Sequence, residues 1–178
     1  NNWLFTARGI PVLYYGSETG FMRGRAEHAG NRAYFGQQRV DAAPQSPIFG
    51  PLKRIALLRE ATPALQRGLQ VNERLQGDTA VFLRVLQHGD TAQTALVLLN
   101  KGDATKTIEV SRYLQPGQWR DALDGGTVAV KRSLTAQVPA HGVKVYLLDG
   151  EVQQDALQAE LDKAMADQKA RSERLGRR

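Results

Sequence analysis

A polar stretch at positions 17–36, SETGFMRGRAEHAGNRAYFG, mixes charged and aromatic side chains. A guanidinium group presents a fork of donors that suits pairs of hydroxyl groups, and an aromatic ring offers a flat face to a sugar ring. Glu18, near the start of the stretch, can orient a neighbouring arginine or reach solvent beside a pocket. These residue types indicate a loop that grips carbohydrate, and we expect structural support rather than chemistry from Glu18.

Four apolar side chains lie in the same stretch: Phe21, Met22, Tyr34 and Phe35. One of these rings could stack on the face of a glucose, or the group could form a small satellite core beneath the loop. Of the two interpretations, we prefer packing into a small core.

Nucleotide and metal chemistry find less support in the sequence. The glycines at positions 16, 20 and 24 give the loop the look of a phosphate cradle, but neither GK[ST] nor GxGxxG accompanies them. His28, His88 and His141 are far apart and lack neighbours at ligand spacing. We therefore expect no cofactor in this segment.

The run PVLYY at positions 11–15 is expected to form the strand that leads into this loop. It is short, apolar and bounded by Gly9 and Gly16, which is typical of a strand buried on both faces of a parallel sheet. Side chains alternate along a strand, so Tyr14 and Tyr15 should face opposite sides, and we expect both to be core residues. A long loop at the carboxyl end of such a strand is usually functional.

Two helical patterns flank this run. Residues 1–8 read as the end of a helix that Arg8-Gly9 stops. A second helix is predicted from Gly50-Pro51 to Thr62-Pro63. Four residues fall at helical spacing on one face, and two leucines widen that face: Leu52, Ile55, Ala56 and Arg59, with Leu57 and Leu58.

After Gly68 the period changes from helical to alternating. Six short runs, LQVNERL, TAVFLRVLQ, TALVLLN, TKTIEV, TVAVKRSL and VKVYLLD, are separated by turn signals such as HGD and DGG. In the second run, Val81, Leu83 and Val85 should share one face, with Phe82, Arg84 and Leu86 on the other. The spacing predicts an antiparallel sandwich.

From Glu151 the pattern is helical again. Leu157, Leu161 and Met165 form a narrow stripe, and Asp167 with Arg171 gives a favourable pair one turn apart. The pattern leaves three outcomes open: docking on the sandwich, self-association with another chain, or fraying of the end.

Composition and charge limit the functional classes that fit this protein. The net charge is +6, and residues 1–75 hold ten Lys and Arg against five Asp and Glu. No nucleic-acid-binding motif accompanies this excess, which is more typical of a solvated face. No apolar run approaches the roughly 18 residues of a membrane helix. The absence of cysteine fits a cytoplasmic and a periplasmic protein equally; we expect a periplasmic or secreted location rather than a cytoplasmic one.

The phrases of the first 75 residues resemble a known family. FTARGIPVLYYGSE, the NR at positions 31 and 32, and a helix that leads into LLREATPAL recur in this order in the α-amylase family, glycoside hydrolase family 13. The resemblance extends to cyclomaltodextrin glucanotransferase-like and cyclomaltodextrinase-like members. Over the next 75 residues it rests on the strand pattern.

The resemblance implies a fold that is α/β and then all-β. Residues 1–67 would be the end of a TIM (β/α)8 barrel, containing its last strand and helix, 68–150 an antiparallel Greek-key β-sandwich, and 151–178 a helical tail. A barrel of this type needs roughly 250 residues. Most of the barrel and the native N-terminus are therefore expected before Asn1, and the helix at 50–62 should turn its apolar face toward the barrel.

The resemblance also implies the chemistry of the parent protein. Family members act on α-1,4-glucans or cyclodextrins by a retaining double displacement that needs paired carboxylates. The family places these on the fourth, fifth and seventh barrel strands, so they are expected upstream of Asn1 and the segment alone should be inactive. A calcium ion, where the parent holds one, is expected in that upstream part.

Four residues are predicted to bind substrate, namely Glu18, His28, Asn31 and Arg32, and the resemblance to the family rests on Asn31 and Arg32, the NR phrase. Arg32 matches an arginine that helps to hold a donor-side glucose in cyclodextrin-forming relatives. Those relatives usually carry Asp three positions before Asn31, where this chain has His28, and the difference argues against true cyclodextrin synthesis. The alternative for Arg32 is a loop salt bridge with Glu18 or Glu27.

Two rival functions come from other classes. The sandwich could be a non-catalytic carbohydrate-binding or structural module, which binding to amylose would support. The tail could make this a protein-interaction module, which predicts self-association that is lost on truncation after Gly150.

Overall fold

The computed structural model describes residues 1–21 and 34–175. The helices in these ranges are α1 (Asn2–Thr6), α2 (Gln37–Ala42), α3 (Phe49–Glu60), α4 (Pro63–Arg67) and α5 (Asp155–Leu175), with 3-10 turns at Ser17–Thr19 and Ala43–Gln45. The strands are β1 (Leu69–Gln76), β2 (Thr79–His88), β3 (Thr91–Asn100), β4 (Lys106–Val110), β5 (Gly117–Asp121), β6 (Thr127–Val130), β7 (Leu134–Val138) and β8 (Val143–Asp149). Among the helices so described, none has the length and apolar character to cross a membrane.

The strands form two antiparallel sheets. The large sheet has the order β1-β2-β3-β8-β5-β6, and β4 pairs with β7 in a small second sheet. β8 returns from the end of the strand region to lie between β3 and β5, so neighbours in the sheet are distant in sequence. The predicted antiparallel β-sandwich is confirmed.

Both faces of the large sheet are buried. Val81, Leu83 and Val85 of β2 face one hydrophobic core, whereas Phe82 and Leu86 face a second. The alternation predicted from the sequence is therefore confirmed, and it explains why β2 and β3 are apolar on successive residues.

The first core lies between the two sheets. Fully buried residues of the large sheet, such as Leu96 and Trp119, pack there with Ile108 of β4 and Val138 of β7. The indole of Trp119 donates a hydrogen bond to the Gln115 carbonyl at 3.1 Å, so its polar atom is satisfied inside the core. Leu157 of α5 closes one side of this core.

The second core lies between the other face of the large sheet and the helices that precede it. Ile55 of α3 and Leu65 of α4 are buried in the same cluster as Phe82 and Val97. Helix α3 covers the predicted range closely, but Leu57 is 51% exposed. The expectation that α3 turns its apolar face to a barrel is not met, since that face packs on the sandwich.

The predicted strand at positions 10–15 is wrong for the structure described. No strand is assigned between Ile10 and Tyr15, and Ile10 and Val12 are 88% and 75% exposed. A strand needs partners for its N–H and C=O groups, and the described residues place no parallel strand beside this run. The last strand of a barrel is therefore not shown here.

Two strands of the structure, β5 and β7, are not among the six runs that the sequence pattern predicts. β5 reads GQWRD, a short run bounded by Gly and Asp, which are residues typical of turns. β7 begins at Leu134, the last residue of the predicted run TVAVKRSL, so the remainder of this strand lies outside the predicted runs. In the structure, β5 is a strand because it pairs with β8, and β7 is a strand because it pairs with β4.

The first half of α5 docks on the sandwich. Leu157 and Leu161 are 1% and 5% exposed, whereas Met165 is 56% exposed. The Tyr113 hydroxyl donates to a Glu160 carboxylate oxygen at 3.2 Å. Of the outcomes that the sequence left open, docking is confirmed for this half of the helix.

Candidate functional site

A sharp turn follows the apolar run. Gly16 adopts φ +85°, and a Cβ built there would lie 2.9 Å from the Cβ of Phe21. The turn is closed by hydrogen bonds from Ser17 N to Tyr14 O at 3.0 Å and from Phe21 N to Gly16 O at 2.9 Å. Only glycine fits this conformation and this contact without strain.

Glu18 lies in the 3-10 turn that begins here. It is partly buried, and it forms no ion pair with any residue that the structure describes. The other predicted substrate-binding residues, His28, Asn31 and Arg32, lie outside the described residues. Their roles and the pairing of Arg32 with Glu18 stay predictions.

Aromatic side chains on both sides of the loop pack together. The Phe21 and Phe35 rings lie 5.0 Å apart at 82°, and Tyr15 lies 5.7 Å from Phe35. The Arg39 guanidinium sits 5.0 Å from the centre of the Phe21 ring, a favourable cation–π distance. This arrangement supports the preferred interpretation of Phe21 and Phe35 as a satellite core.

The tyrosines depart from expectation. Tyr14 and Tyr15 are 51% and 48% exposed, so the prediction that both are core residues is wrong for this structure. Tyr34 is 82% exposed, so it does not belong to the small core of Phe21 and Phe35. Met22 lies outside the described residues.

Two buried arginines hold the backbone that leads to this loop. Arg84 of β2 is 1% exposed and donates to Thr6 O at 2.8 Å and, through Nε and Nη2, to Gly68 O. Arg59 of α3 donates to Phe5 O at 2.9 Å, to Ala7 O at 3.0 Å, and to Gly9 O at 2.6 Å. Sequence reasoning placed both on buried faces and gave neither a role.

An ionic network joins α3 to the end of the sandwich. Arg54 contacts Asp124 at 2.6 Å, and Lys144 of β8 pairs with both Asp124 and Asp121. These hydrogen bonds, first from Lys144 and then from Arg54, hold the pKa of Asp124 below its ordinary value. The residues lie far apart in sequence, so no local sequence motif predicts the network.

A cleft of about 480 Å³ opens at one end of the sandwich, between α1 and the β2–β3 strands. Its lining includes apolar side chains, Trp3 and Leu99, and polar ones, Asp78, Lys101 and His141. Trp3 is 47% exposed and meets Phe82 edge-on at 5.4 Å. The cleft therefore combines an aromatic face with polar groups at its rim.

Metal-ligating groups do not cluster in the described ranges. No group of three or more His, Asp or Glu side chains there could hold a metal ion. His141 and Asp103 form an exposed pair at 2.9 Å, and His88 lies elsewhere on β2.

Comparisons with known proteins show which families and enzymes this chain resembles. A family model described as the α-galactosidase C-terminal β-sandwich domain matches residues 76–148, which run from the end of β1 to β8. Cyclomaltodextrin glucanotransferase of Klebsiella oxytoca is 29% identical over 134 residues, or 73% of this chain and 20% of that protein. The chain thus spans about one fifth of the length of this relative.

Solved structures agree with the sequence relatives. α-Amylase from Geobacillus thermoleovorans, solved with acarbose, is 28% identical with a TM-score of 0.64, covering 82% of this chain and 31% of that one. An Anoxybacillus α-amylase is 22% identical, with a TM-score of 0.67 over 86% of this chain and 32% of that one, and shows the shared fold.

The extent of these matches matters. In the part of the chain that the structure describes, the strands lie between Leu69 and Asp149, so a match over 82% of the chain must include residues outside the sandwich. The chain is therefore similar to cyclomaltodextrin glucanotransferases and α-amylases, and its residues 76–148 match the model of the α-galactosidase C-terminal β-sandwich domain.

Proposed function

We propose that this chain is the C-terminal part of an enzyme that hydrolyses or transfers α-1,4-glucans or cyclodextrins. The observation that carries the proposal is the match to family 13 enzymes across both the sandwich and adjoining residues. Residues 1–67 then end the catalytic barrel, 68–150 form its C-terminal sandwich, and 151–178 form a helical tail.

The chemistry proposed for the parent is a retaining double displacement. One carboxylate attacks the anomeric carbon and displaces the leaving glucan, while a carboxylic acid gives that leaving group a proton. Water or a glucan hydroxyl then attacks the glycosyl-enzyme bond, and the second carboxylate takes the proton back. We assign these carboxylates to a part of the parent outside this segment.

Within this segment, the proposed contribution is support of the donor-side sugar. The guanidinium of Arg32 offers two parallel donors to neighbouring hydroxyls, with Asn31 and His28 beside it in sequence. Glu18, held on the turn after Gly16, would orient Arg32. The satellite core of Phe21 and Phe35 would give the loop a fixed base.

The first experiment is on the natural gene product. Its intact mass and N-terminal sequence show whether an upstream barrel is present, and maltooligosaccharide and cyclodextrin assays separate hydrolysis from transfer. We expect a longer chain that is active on one of these substrates. A natural product that begins near Asn1 and is inactive would overturn the proposal.

Arg32 is tested in the same assays. Arg32→Lys keeps the charge but loses the fork, so kcat/KM should fall about tenfold or more, because hydrogen bonds to charged groups contribute about 1.5–3 kcal/mol. Arg120→Lys, at an exposed position on β5, is the matched control and should leave kcat/KM unchanged. Equal rates for both variants would remove Arg32 from the substrate-binding set.

A second candidate is a non-catalytic carbohydrate-binding role for the sandwich. The cleft beside Trp3 favours it, since a half-exposed indole lies there among polar side chains. Residues 1–178 should then be retarded on an amylose column, and Trp3→Ala should abolish the retardation.

The control for this role is Tyr14→Ala, which removes an exposed ring outside that cleft. Near-ultraviolet circular dichroism would check that Trp3→Ala keeps its fold, because Trp3 also contacts Phe82. Free passage of the wild-type chain through the column would exclude the binding role.

A further inference from the structure

The two buried arginines are unusual in their choice of partners. Arg84 and Arg59 are 1% and 8% exposed, yet neither forms an ion pair with a carboxylate among the described residues. Each donates to main-chain carbonyls instead. Their hydrogen bonds therefore fix a backbone and not another side chain.

The carbonyls concerned belong to one short segment. Phe5, Thr6, Ala7 and Gly9 each accept a guanidinium N–H at 2.6–3.0 Å. The N–H of Arg8, the remaining residue of this segment, donates to the Gln70 side chain at 2.9 Å. Every residue from 5 to 9 is thus tied to α3, β1 or β2.

The last turn of α1 explains why carbonyls are available. The final carbonyls of a helix have no partner within the helix, and α1 ends at Thr6. A planar guanidinium can satisfy several of them in fixed directions, which a lysine ammonium or a water molecule does less rigidly. The two arginines therefore act together as a clamp on residues 5–9.

Stability alone is a poor explanation for such a clamp. Burial, followed by the charges of Arg59 and Arg8, lowers the pKa of Arg84 to about 10, because desolvation and like charges both disfavour the charged guanidinium. Even a buried ion pair is often replaced by well-packed apolar side chains with no loss of stability, and among the described residues these two arginines have no carboxylate partner to offset their burial. What an apolar side chain cannot do is fix the direction of four carbonyls.

The clamp ends where the loop-bearing run begins. Gly9 adopts φ +114°, and the next residues are the exposed run from Ile10 to Tyr15 and the turn that carries Glu18. We propose that Arg59 and Arg84 are positioning residues, which hold residues 5–9 on the sandwich and so set the place from which the run at 10–15 and the Glu18-bearing turn at Ser17–Thr19 leave the sandwich. Its consequence for activity rests on the proposed function.

The first test is hydrogen exchange on residues 1–178. Arg59→Met and Arg84→Met should lower protection of amides 5–10 at least tenfold, with β3 and β8 unchanged, because local opening is separate from global unfolding. Arg54→Met on the same helix α3 and Arg120→Met on the same sheet are the matched controls. A uniform loss of protection over the whole chain would mean a general stabilising role and would overturn the proposal.

The lysine variants separate charge from geometry. Arg59→Lys keeps the charge and is the milder change should a methionine variant not fold, and it should still lower protection of amides 5–10. Full protection in Arg59→Lys would show that charge suffices and that the guanidinium fork has no positioning role.

The final test uses the intact enzyme with soluble starch. Arg59→Lys should lower kcat about tenfold or more with an unchanged melting temperature and pH profile, since small misplacements remote from the chemistry cost up to about 100-fold. If the wild-type enzyme is inactive, the proposed function fails while the exchange result stands. If the variant loses protection yet keeps full activity, the clamp does not position the site.

Discussion

Two apolar runs of similar composition have opposite environments in this molecule. Residues 95–99 of β3 are all buried, and four of the five have no exposed surface. Residues 11–15 are half-buried or exposed, with Val12 75% exposed. The difference is in pairing, because β3 is bonded to β2 on one side and to β8 on the other.

The comparison shows that an apolar sequence does not by itself bury a strand, because burial depends on partner strands and covering layers from elsewhere in the chain. Burial of β3 requires two neighbouring strands and a layer on each face, and this chain supplies all four. The run at 11–15 has the same needs, and the described residues supply none of its strand partners. In an isolated chain, such a run tends to aggregate or pair elsewhere.

The largest expected effect comes from matched isoleucines in the two environments. Ile108 is 2% exposed in the core between the sheets, and Ile10 is 88% exposed. Ile108→Ala should lower the free energy of unfolding by about 2–5 kcal/mol because it leaves a cavity, while Ile10→Ala should change it by less than about 0.5 kcal/mol. Urea denaturation of both variants measures the difference.

An equal loss in the two isoleucine variants would break the comparison. It would mean that the 10–15 run is buried in solution, either in this chain or in a self-associated form. Sedimentation at several protein concentrations would distinguish these cases.

A pair of glycines tests how closely the helical layer meets the sheet. A Cβ at Gly68 would lie 2.5 Å from the Ala64 carbonyl oxygen and 2.9 Å from the backbone of Val85, whereas one at Gly50 meets nothing within 4 Å. Gly68→Ala should destabilise by about 1–3 kcal/mol through overpacking. Gly50→Ala, in helix α3, should be neutral or stabilise by up to about 1 kcal/mol.

Thermal unfolding of the two glycine variants gives the result. If Gly68→Ala unfolds at the wild-type temperature, the junction between α4 and β1 is looser than this packing indicates. The hydrogen bond from Arg84 to Gly68 O would then be weaker as well.

The strands of the sandwich could be predicted because short stretches of sequence contain the alternation and the turn residues that specify them. Alternation in TAVFLRVLQ and turn signals such as HGD follow from side-chain periodicity and turn chemistry, and the structure confirms both. Pairing is not local, which is why β5 was missed and why the 10–15 run was assigned as a strand. Its composition is that of a strand, but its partners are not among the described residues.

The candidate site was less predictable for a related reason. Gly16 signalled a turn, and Phe21 with Phe35 signalled a small core. The clamp of Arg59 and Arg84 carried a weaker signal, namely an arginine within an apolar face. Its partners are main-chain carbonyls, which have no sequence signature.

A smaller effect is expected where α5 meets the sandwich. Tyr113 is 3% exposed, and its hydroxyl bonds to Glu160 of the helix at 3.2 Å. Tyr113→Phe keeps the ring but loses this bond, so it should destabilise by about 0.5–1.5 kcal/mol. Tyr34→Phe, at an 82% exposed position, is the control and should have no effect on urea denaturation.

The smallest expected effect concerns pH and the network that joins α3 to the sandwich. Hydrogen bonds from Lys144, and then from Arg54, lower the pKa of Asp124. A carboxyl group with a lowered pKa stabilises the fold above its unfolded value, about 3.9, and this contribution is lost as pH falls through the folded value. Because Asp124 is half-exposed, solvent screens the pair and the effect at pH 7 should be below about 1 kcal/mol.

Thermal unfolding of wild type and Asp124→Asn between pH 7 and pH 2.5 tests this. The two curves should differ at pH 7 and converge at the acid end, and 0.5 M salt should narrow the difference, since salt screens exposed charges over about 10 Å or less. Asp90→Asn, in the β2–β3 turn, is the control, because Asp90 forms no ion pair with the described residues. A constant offset at every pH would mean that Asp124 acts through the shape of its turn and not through its charge, and the tie between α3 and the sandwich would then rest on the buried core alone.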